Sequence, residues 1–399
     1  MSLDLPWVRA QFPAFAEPSL QGQAFFENAG GSYACGAVID RLTRFYRARK
    51  VQPYADYDAS RLGGEEMDEA RRRLSTHLGV DPDELSFGPS TTQNVYVLAQ
   101  AVAEWLPEGA AIVVSEQDHE ANAGAWRRLA ARGIEVREWR CDPGSGLLEP
   151  GDLPPLLDGA RLLAFPHCSN VVGAVNDVAA ICAVARRAGV RTVVDGVSYA
   201  PHGLPDVGAL GPDVYLFSAY KTYGPHQGLM TIRRDWGMEL PAQCHAFNAD
   251  HQEKRFTPAG PDHAQVAACA GIADYLDALS RHHGGARPHD LMRAQETALL
   301  PPLLDYLKGC NDLRLLGPVE AAARAPTVAV DLGRDPVPVA KALAAHGVMA
   351  AGGDFYAQRP LRAMGIDPDV GVLRLSFVHY TAPEEVDRLI AALDAVLRT

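Results

Sequence analysis

Between residues 111 and 217 short β-rich runs alternate with segments about one helical crossover long, and this alternation restricts the chain to few architectures. Residues 111–115, 134–139, 162–165, 191–195 and 213–217 read as strands, with helices over 121–131 and 178–188 between them. Such an order specifies a mainly parallel α/β sheet with helices on both faces. Ligands of these sheets collect beyond the carboxyl ends of the strands. Four polar clusters lie there: 115–119, 166–170, 195–198 and 218–221.

The last cluster is the sharpest. In Tyr215-Leu216-Phe217-Ser218-Ala219-Tyr220-Lys221-Thr222-Tyr223-Gly224-Pro225 an apolar strand ends in a hydroxyl, a lysine and a Gly-Pro break. The chain has five lysines against 32 arginines, so a lysine kept at this point invites a chemical reason. A partly desolvated amine can lose its proton and form a Schiff base, which a guanidinium cannot do. Asp195 closes another apolar strand and reads either as a helix cap or as the partner of a buried cation, such as a protonated pyridine nitrogen. Ser90-Thr91-Thr92 opens a helix after a Gly-Pro pair, which makes an N-cap or an anion site whose usual occupant is phosphate. His119, at a further strand end, is either a satisfied structural group or a ring that stacks on an aromatic ligand. A phosphate site, a lysine, a carboxylate and a histidine around one crevice describe pyridoxal 5'-phosphate as cofactor.

A chain of 399 residues exceeds what one core supports, and its 47% apolar content can bury two. The expected division is an N-terminal arm (1–24), a large domain (25–283) and a small C-terminal α+β domain (284–399), with 282–288 as linker. Within these, helices are expected over 36–49, 65–78, 95–105, 264–280, 289–308, 337–346 and 382–397. Further strands are expected over 326–331 and 372–377. A net charge of -12 without long basic runs argues against nucleic acid or an anionic membrane as partner and favours a small molecule. The sequence has no leader-like start and no 18-residue apolar run, so a cytoplasmic protein is expected. Seven scattered cysteines without a CxxC pair indicate neither a disulfide framework nor a metal site.

A run of motifs in fixed order carries a resemblance: Asn28-Ala29-Gly30-Gly31, Ser90-Thr91-Thr92, Asp118-His119-Glu120-Ala121-Asn122 with Trp126, Ser169-Asn170-Val171-Val172-Gly173, Val194-Asp195-Gly196-Val197-Ser198, Ser218 to Pro225, and Gly371-Val372-Leu373-Arg374-Leu375-Ser376-Phe377. From residue 25 to about 392 the chain resembles the class V, fold-type I pyridoxal-phosphate enzymes, close to the cysteine-desulfurase-like proteins. The resemblance implies a seven-stranded-type sheet in the large domain. It makes Lys221 the Schiff-base and proton-moving lysine, Asp195 the partner of the pyridinium nitrogen, His119 the group stacked on the ring and Asn170 a donor to the phenolic oxygen. Ser90, Thr91, Thr92, Ser198, Ser218 and Tyr220 would surround the cofactor, with Thr92 and Ser218 on its phosphate. Arg374 would clamp the substrate α-carboxylate, and Asn28, Ala29, Gly30, Asp354, Phe355 and Tyr356 would line the substrate side. The family also implies a homodimer with shared sites, in which Gly260 stands where relatives reach the partner's phosphate with a threonine.

Three departures bear on the reaction. Ser198 replaces a glutamine or histidine, Tyr220 replaces the histidine that precedes the lysine in desulfurases, and the loop 351–356 lacks the cysteine that accepts sulfur. A persulfide relay needs an exposed, mobile thiolate, and this loop offers none, which argues against sulfur transfer to a partner through a loop cysteine. What remains is a desulfurase-like C–S or C–Se lyase acting on an α-amino acid. The alternatives are a class V aminotransferase or epimerase, or a non-catalytic homologue that binds a phosphorylated ligand.

Overall fold

The computed structural model describes residues 2–397; Met1, Arg398 and Thr399, the outermost residues of the expected arm and C-terminal domain, lie outside them. The first strand, β1 (Ala24–Phe25), leaves the N-terminal segment to pair with a strand more than 300 residues later. Seven strands then build the main sheet: β2 (Leu85–Gly88), β3 (Ala111–Ser115), β4 (Glu135–Trp139), β5 (Ala160–Pro166), β6 (Arg191–Asp195), β7 (Val214–Ser218) and β8 (Gly228–Ile232), in the order β2-β8-β7-β6-β5-β3-β4. From β7 through β4 every pairing is parallel, and β8 alone runs against both of its neighbours. The sequence pattern showed the parallel run but not β8, whose five residues open on a glycine and are interrupted by a threonine.

Alternate residues of the same strands feed two cores. Val113, Leu163, Phe165, Val194, Tyr215 and Phe217 face one helical layer, and Ile112, Val114, Leu162, Ala164, Val193 and Leu216 face the other. Burial on both faces explains the nearly continuous apolar runs.

A second sheet joins β9 (Arg314–Leu315), β10 (Thr327–Asp331), β12 (Ala351–Gly353) and β13 (Val372–Ser376) in the antiparallel order β12-β13-β10-β9, while β11 (Val348–Met349) takes β1 as a parallel partner. The N-terminal segment is thereby sewn to the C-terminal one: Glu27 bridges to Ser376, and Ala29 N–H donates to Ser376 Oγ at 2.9 Å.

Four helices differ from expectation: that of 95–105 begins at Thr91, that of 121–131 is α-helical only over Glu120–Arg127, and two more differ further. The helix expected to begin at residue 65 runs over Asp58–Leu78, because Gly63 and Gly64 mask its first turns in sequence. Gly64 is needed where the Tyr54 ring lies 2.6 Å from the position of an added Cβ. The single helix expected over 264–280 is two, His263–Ala268 and Ala270–His282, which meet at Cys269. No proline marks that interruption, and Cys269 keeps helical dihedrals; Gly271 packs closely on the Val38 backbone. Among the described residues no helix is long and apolar enough to cross a membrane.

Candidate active site

β2, β3, β5, β6 and β7 all end at one edge of the main sheet, and the turns that follow them enclose a cavity of about 300 Å³. Ser90, Thr91, Thr92, His119, Asn170, Asp195, Ser198, Ser218, Tyr220 and Lys221 all line it. Ser90 caps the 15-residue helix Thr91–Trp105 by accepting from Gln93 N–H at 3.2 Å, so the helix's first free amides point to this end of the cavity. Thr91 Oγ1 and Ser218 Oγ lie 2.8 Å apart and tie that helix to β7. Gly228 makes the approach possible: a Cβ there would stand 2.3 Å from the Ser90 carbonyl carbon.

Lys221 sits in a single 3-10 turn that ends β7 and is only 8% exposed. Burial, helped by the charge of Arg374, pulls its amine down to about 8, against the opposing pull of Asp195. Among the described residues no carboxylate forms an ion pair with it. Asp195 is buried as well; burial raises its carboxyl to about 6, while the Val197 N–H, 2.8 Å from Oδ1, favours the charged form. A cationic ring nitrogen would offset that desolvation.

His119 is held neutral. Its Nδ1 accepts from Ala121 N–H at 3.0 Å as the cap of the helix Glu120–Arg127. Burial, then the charges of Lys221 and Arg374, lowers the imidazole to about 3. The residue before it, Asp118, is locked beneath by Ser115 Oγ at 2.7 Å and Asn122 Nδ2 at 2.9 Å, and Asn122 Oδ1 accepts from Trp126 Nε1. These contacts tie Asp118, Asn122 and Trp126 into one buried network beneath His119. Burial, with Asp195 nearby, pushes Asp118 up to about 7.

A second group of side chains gathers around Arg374. Arg374, 3% exposed on β13, donates through one terminal nitrogen to the Asn170 carbonyl at 3.2 Å, and through the other to Glu27 Oε1 at 2.5 Å. The Phe355 ring covers the guanidinium carbon at 3.7 Å. Phe355 and Tyr356 both have positive φ, 51° and 57°, a strained pair for bulky residues. The strained turn is pinned from two sides: Asn170 Nδ2 donates to Phe355 O at 2.8 Å, and Glu120 N–H donates to Tyr356 O at 2.9 Å. Tyr356 lies against the His119 ring, with centroids 5.3 Å apart.

Some candidate residues turn out to be structural in their contacts. The Asn28 amide is engaged by Tyr380 OH, Phe25 O and Ser376 O, and Gly30 lies under the Glu27 carboxylate. Asp354 accepts from Tyr356 N–H and Gln358 Nε2, which shapes the turn. Two residues escaped the sequence reading. His226, stacked on Tyr220 at 4.9 Å and 7°, lines the same cavity; its position in Gly224-Pro225-His226 was a usable signal. Glu27 gave no local signal, because its partner is 347 residues away.

The described residues fit pyridoxal phosphate on their own chemistry. A desolvated amine, a buried carboxylate, a neutral ring and a capped helix terminus surround one cavity, and Asn170 Oδ1 is buried there without a partner. Fold and site define a fold-type I α/β enzyme dependent on that cofactor. The chain belongs to the class V aminotransferase family, whose family model (Aminotransferase class-V) matches residues 24–389.

Among its relatives, an aminotransferase-like protein FGM3 of Gibberella zeae is 33% identical over 99% of both chains. A cysteine desulfurase of Serratia proteamaculans is 30% identical, again over 99% of each. The solved structure of apo cysteine desulfurase from Thermococcus onnurineus NA1 superposes with a TM-score of 0.88 at 22% identity, covering 100% of this chain and 99% of the other.

Proposed function

We propose that the protein is a lyase of the cysteine-desulfurase-like kind that cleaves the C–S or C–Se bond of an α-amino acid without a persulfide on the enzyme. The observation that carries this reading is a desolvated lysine in a cavity whose neighbouring loop, 351–356, packed on His119 through Tyr356, contains no thiol. Cys168, a cysteine in the cavity wall, donates to the carbonyls of Ser169 and Gly173, and burial pushes it up to about 12, so it stays a protonated thiol.

When bound, pyridoxal phosphate supplies an electron sink for the pair left at Cα. Lys221 would anchor the cofactor and move the α-proton through Nζ, and Asp195 would hold the proton on the ring nitrogen. His119, in its neutral form, would cover one face of the ring. Asn170 would donate to the phenolic oxygen through the Nδ2 hydrogen not used by Phe355, and Thr92 with Ser218 would take the phosphate, helped by Ser90, Thr91 and Tyr220. Arg374 orients the substrate through its carboxylate. The overall change would be cysteine plus water to sulfide, pyruvate and ammonia.

A second reading, a keto-acid-dependent aminotransferase, is favoured by the 33% identity to an aminotransferase-like protein. A homodimer belongs to the same proposal. It is supported by a second cavity of about 690 Å³ that shares Ser90 and His226 with the first and runs along Gly260, where a partner's side chain could enter. Incubating the cofactor-loaded protein with cysteine, selenocysteine and the other amino acids, with and without pyruvate or 2-oxoglutarate, separates the readings. The lyase reading expects sulfide or selenide and pyruvate in equal amounts without a keto acid; product formation only in the presence of a keto acid would overturn it.

A further inference from the structure

The Glu27–Arg374 pair is an unusual object in a site proposed to receive a carboxylate, because the protein has already placed one there. The pairing is incomplete. Glu27 offers Oε1 alone, and Glu27 Oε2 and Arg374 Nε are both buried without a partner. A carboxylate at its best on arginine uses two oxygens on two adjacent nitrogens. Such a ligand, seated on the Nε edge, would satisfy the orphaned donor but would need the terminal nitrogen that Glu27 now occupies.

The surroundings leave only this edge adjustable. One terminal nitrogen is committed to the Asn170 carbonyl, and the guanidinium face lies under Phe355. Arg374 is 4% exposed in its side chain and cannot retreat, whereas Glu27 is 25% exposed. Its carboxylate rests over Gly30, where an added Cβ would stand 2.8 Å from Oε1, so the glycine makes room for this seat. Two carboxylates on one guanidinium repel, and the one with a route to water is the one that leaves.

We infer that Glu27 is a specificity-determining residue that occupies the arginine as an internal competitor and must swing out for a substrate carboxylate to bind. The inference rests on the reading of Arg374 as the carboxylate site. It has a chemical consequence. Ligands with one neutral group at this position gain nothing from displacing Glu27, and only those able to take two arginine nitrogens at once outcompete its single bond. The pair also keeps the buried guanidinium charge-compensated between turnovers.

The test uses the cofactor-loaded protein and a probe that cannot react, propionate, with propionamide as its neutral counterpart, in calorimetric titrations. Glu27→Gln and Glu27→Ala should bind propionate about tenfold more tightly than the parent, in line with the coupling of close buried charges. Propionamide should bind alike to all three. Retention of the visible cofactor band in both variants reports an intact site. Unchanged or weaker propionate binding in both variants would overturn the competitor role while leaving the arginine reading standing, provided that Arg374→Ala abolishes propionate binding. Propionate binding that survives Arg374→Ala would overturn the arginine reading and this inference with it.

Discussion

The lysine side of the site hangs on the ends of adjacent strands in one sheet, whereas the arginine side is held by contacts between segments as far apart as Glu27 and Arg374, 347 residues along the chain. On the lysine side each functional group is delivered by the strand or helix immediately beside it in sequence, as Lys221 is by β7 and Ser90 by the helix that it caps. On the arginine side no group is placed by its own neighbours alone. Arg374 is oriented by Glu27, by the Asn170 carbonyl and by a strained turn at Phe355 and Tyr356. The first arrangement is rigid by construction, and the second can change partners. A chemistry shared across a family sits well on the former, and discrimination among substrates on the latter.

The comparison can be broken most severely at the lysine. Lys221→Ala should lower turnover by at least about a thousandfold, within the range contributed by a positioned proton-transfer group, and steady-state assays of product release would measure it. Turnover within tenfold of the parent would remove the lysine side from the reaction altogether. A smaller and different effect is expected across the site. Phe355→Ala strips the ring that lies 3.7 Å from the Arg374 guanidinium. The loss of a desolvated cation–π contact should raise KM about fivefold and leave kcat within about twofold. An equal fall in kcat would show that the arginine side takes part in the chemical step, and the distinction between the two sides would fail.

The same contrast explains what could be read from sequence. The sheet, its carboxyl edge and the residues Lys221, Asp195, His119 and Ser90 follow from local runs that end in polar residues, and the structure brings all four to one cavity. β8 escaped because its run, Gly228-Leu229-Met230-Thr231-Ile232, opens on a glycine and is interrupted by a threonine, and so lacks the continuous β-branched or aromatic signal of β3 and β7. The interruption at Cys269 escaped because that residue keeps helical dihedrals and no proline marks it. The contacts of Asn28 with Tyr380 and of Asp354 with Tyr356, which brace the backbone there, are visible only in the folded chain. Glu27 was invisible for the same reason that the arginine side is adjustable: its partner comes from the other end of the chain.

The central claim is that one desolvated lysine carries the cofactor, and covalent trapping addresses it most directly. The apoprotein is mixed with pyridoxal phosphate across a pH series, reduced with borohydride, digested and mapped. Only the neutral amine attacks the aldehyde, so a group pulled from 10.5 to about 8 by burial should be captured faster as pH rises and should level off above about 8. The account predicts label on Lys221 with that profile. Label on Lys50, Lys254, Lys308 or Lys341 instead, or a capture rate still climbing toward 10.5, would contradict it.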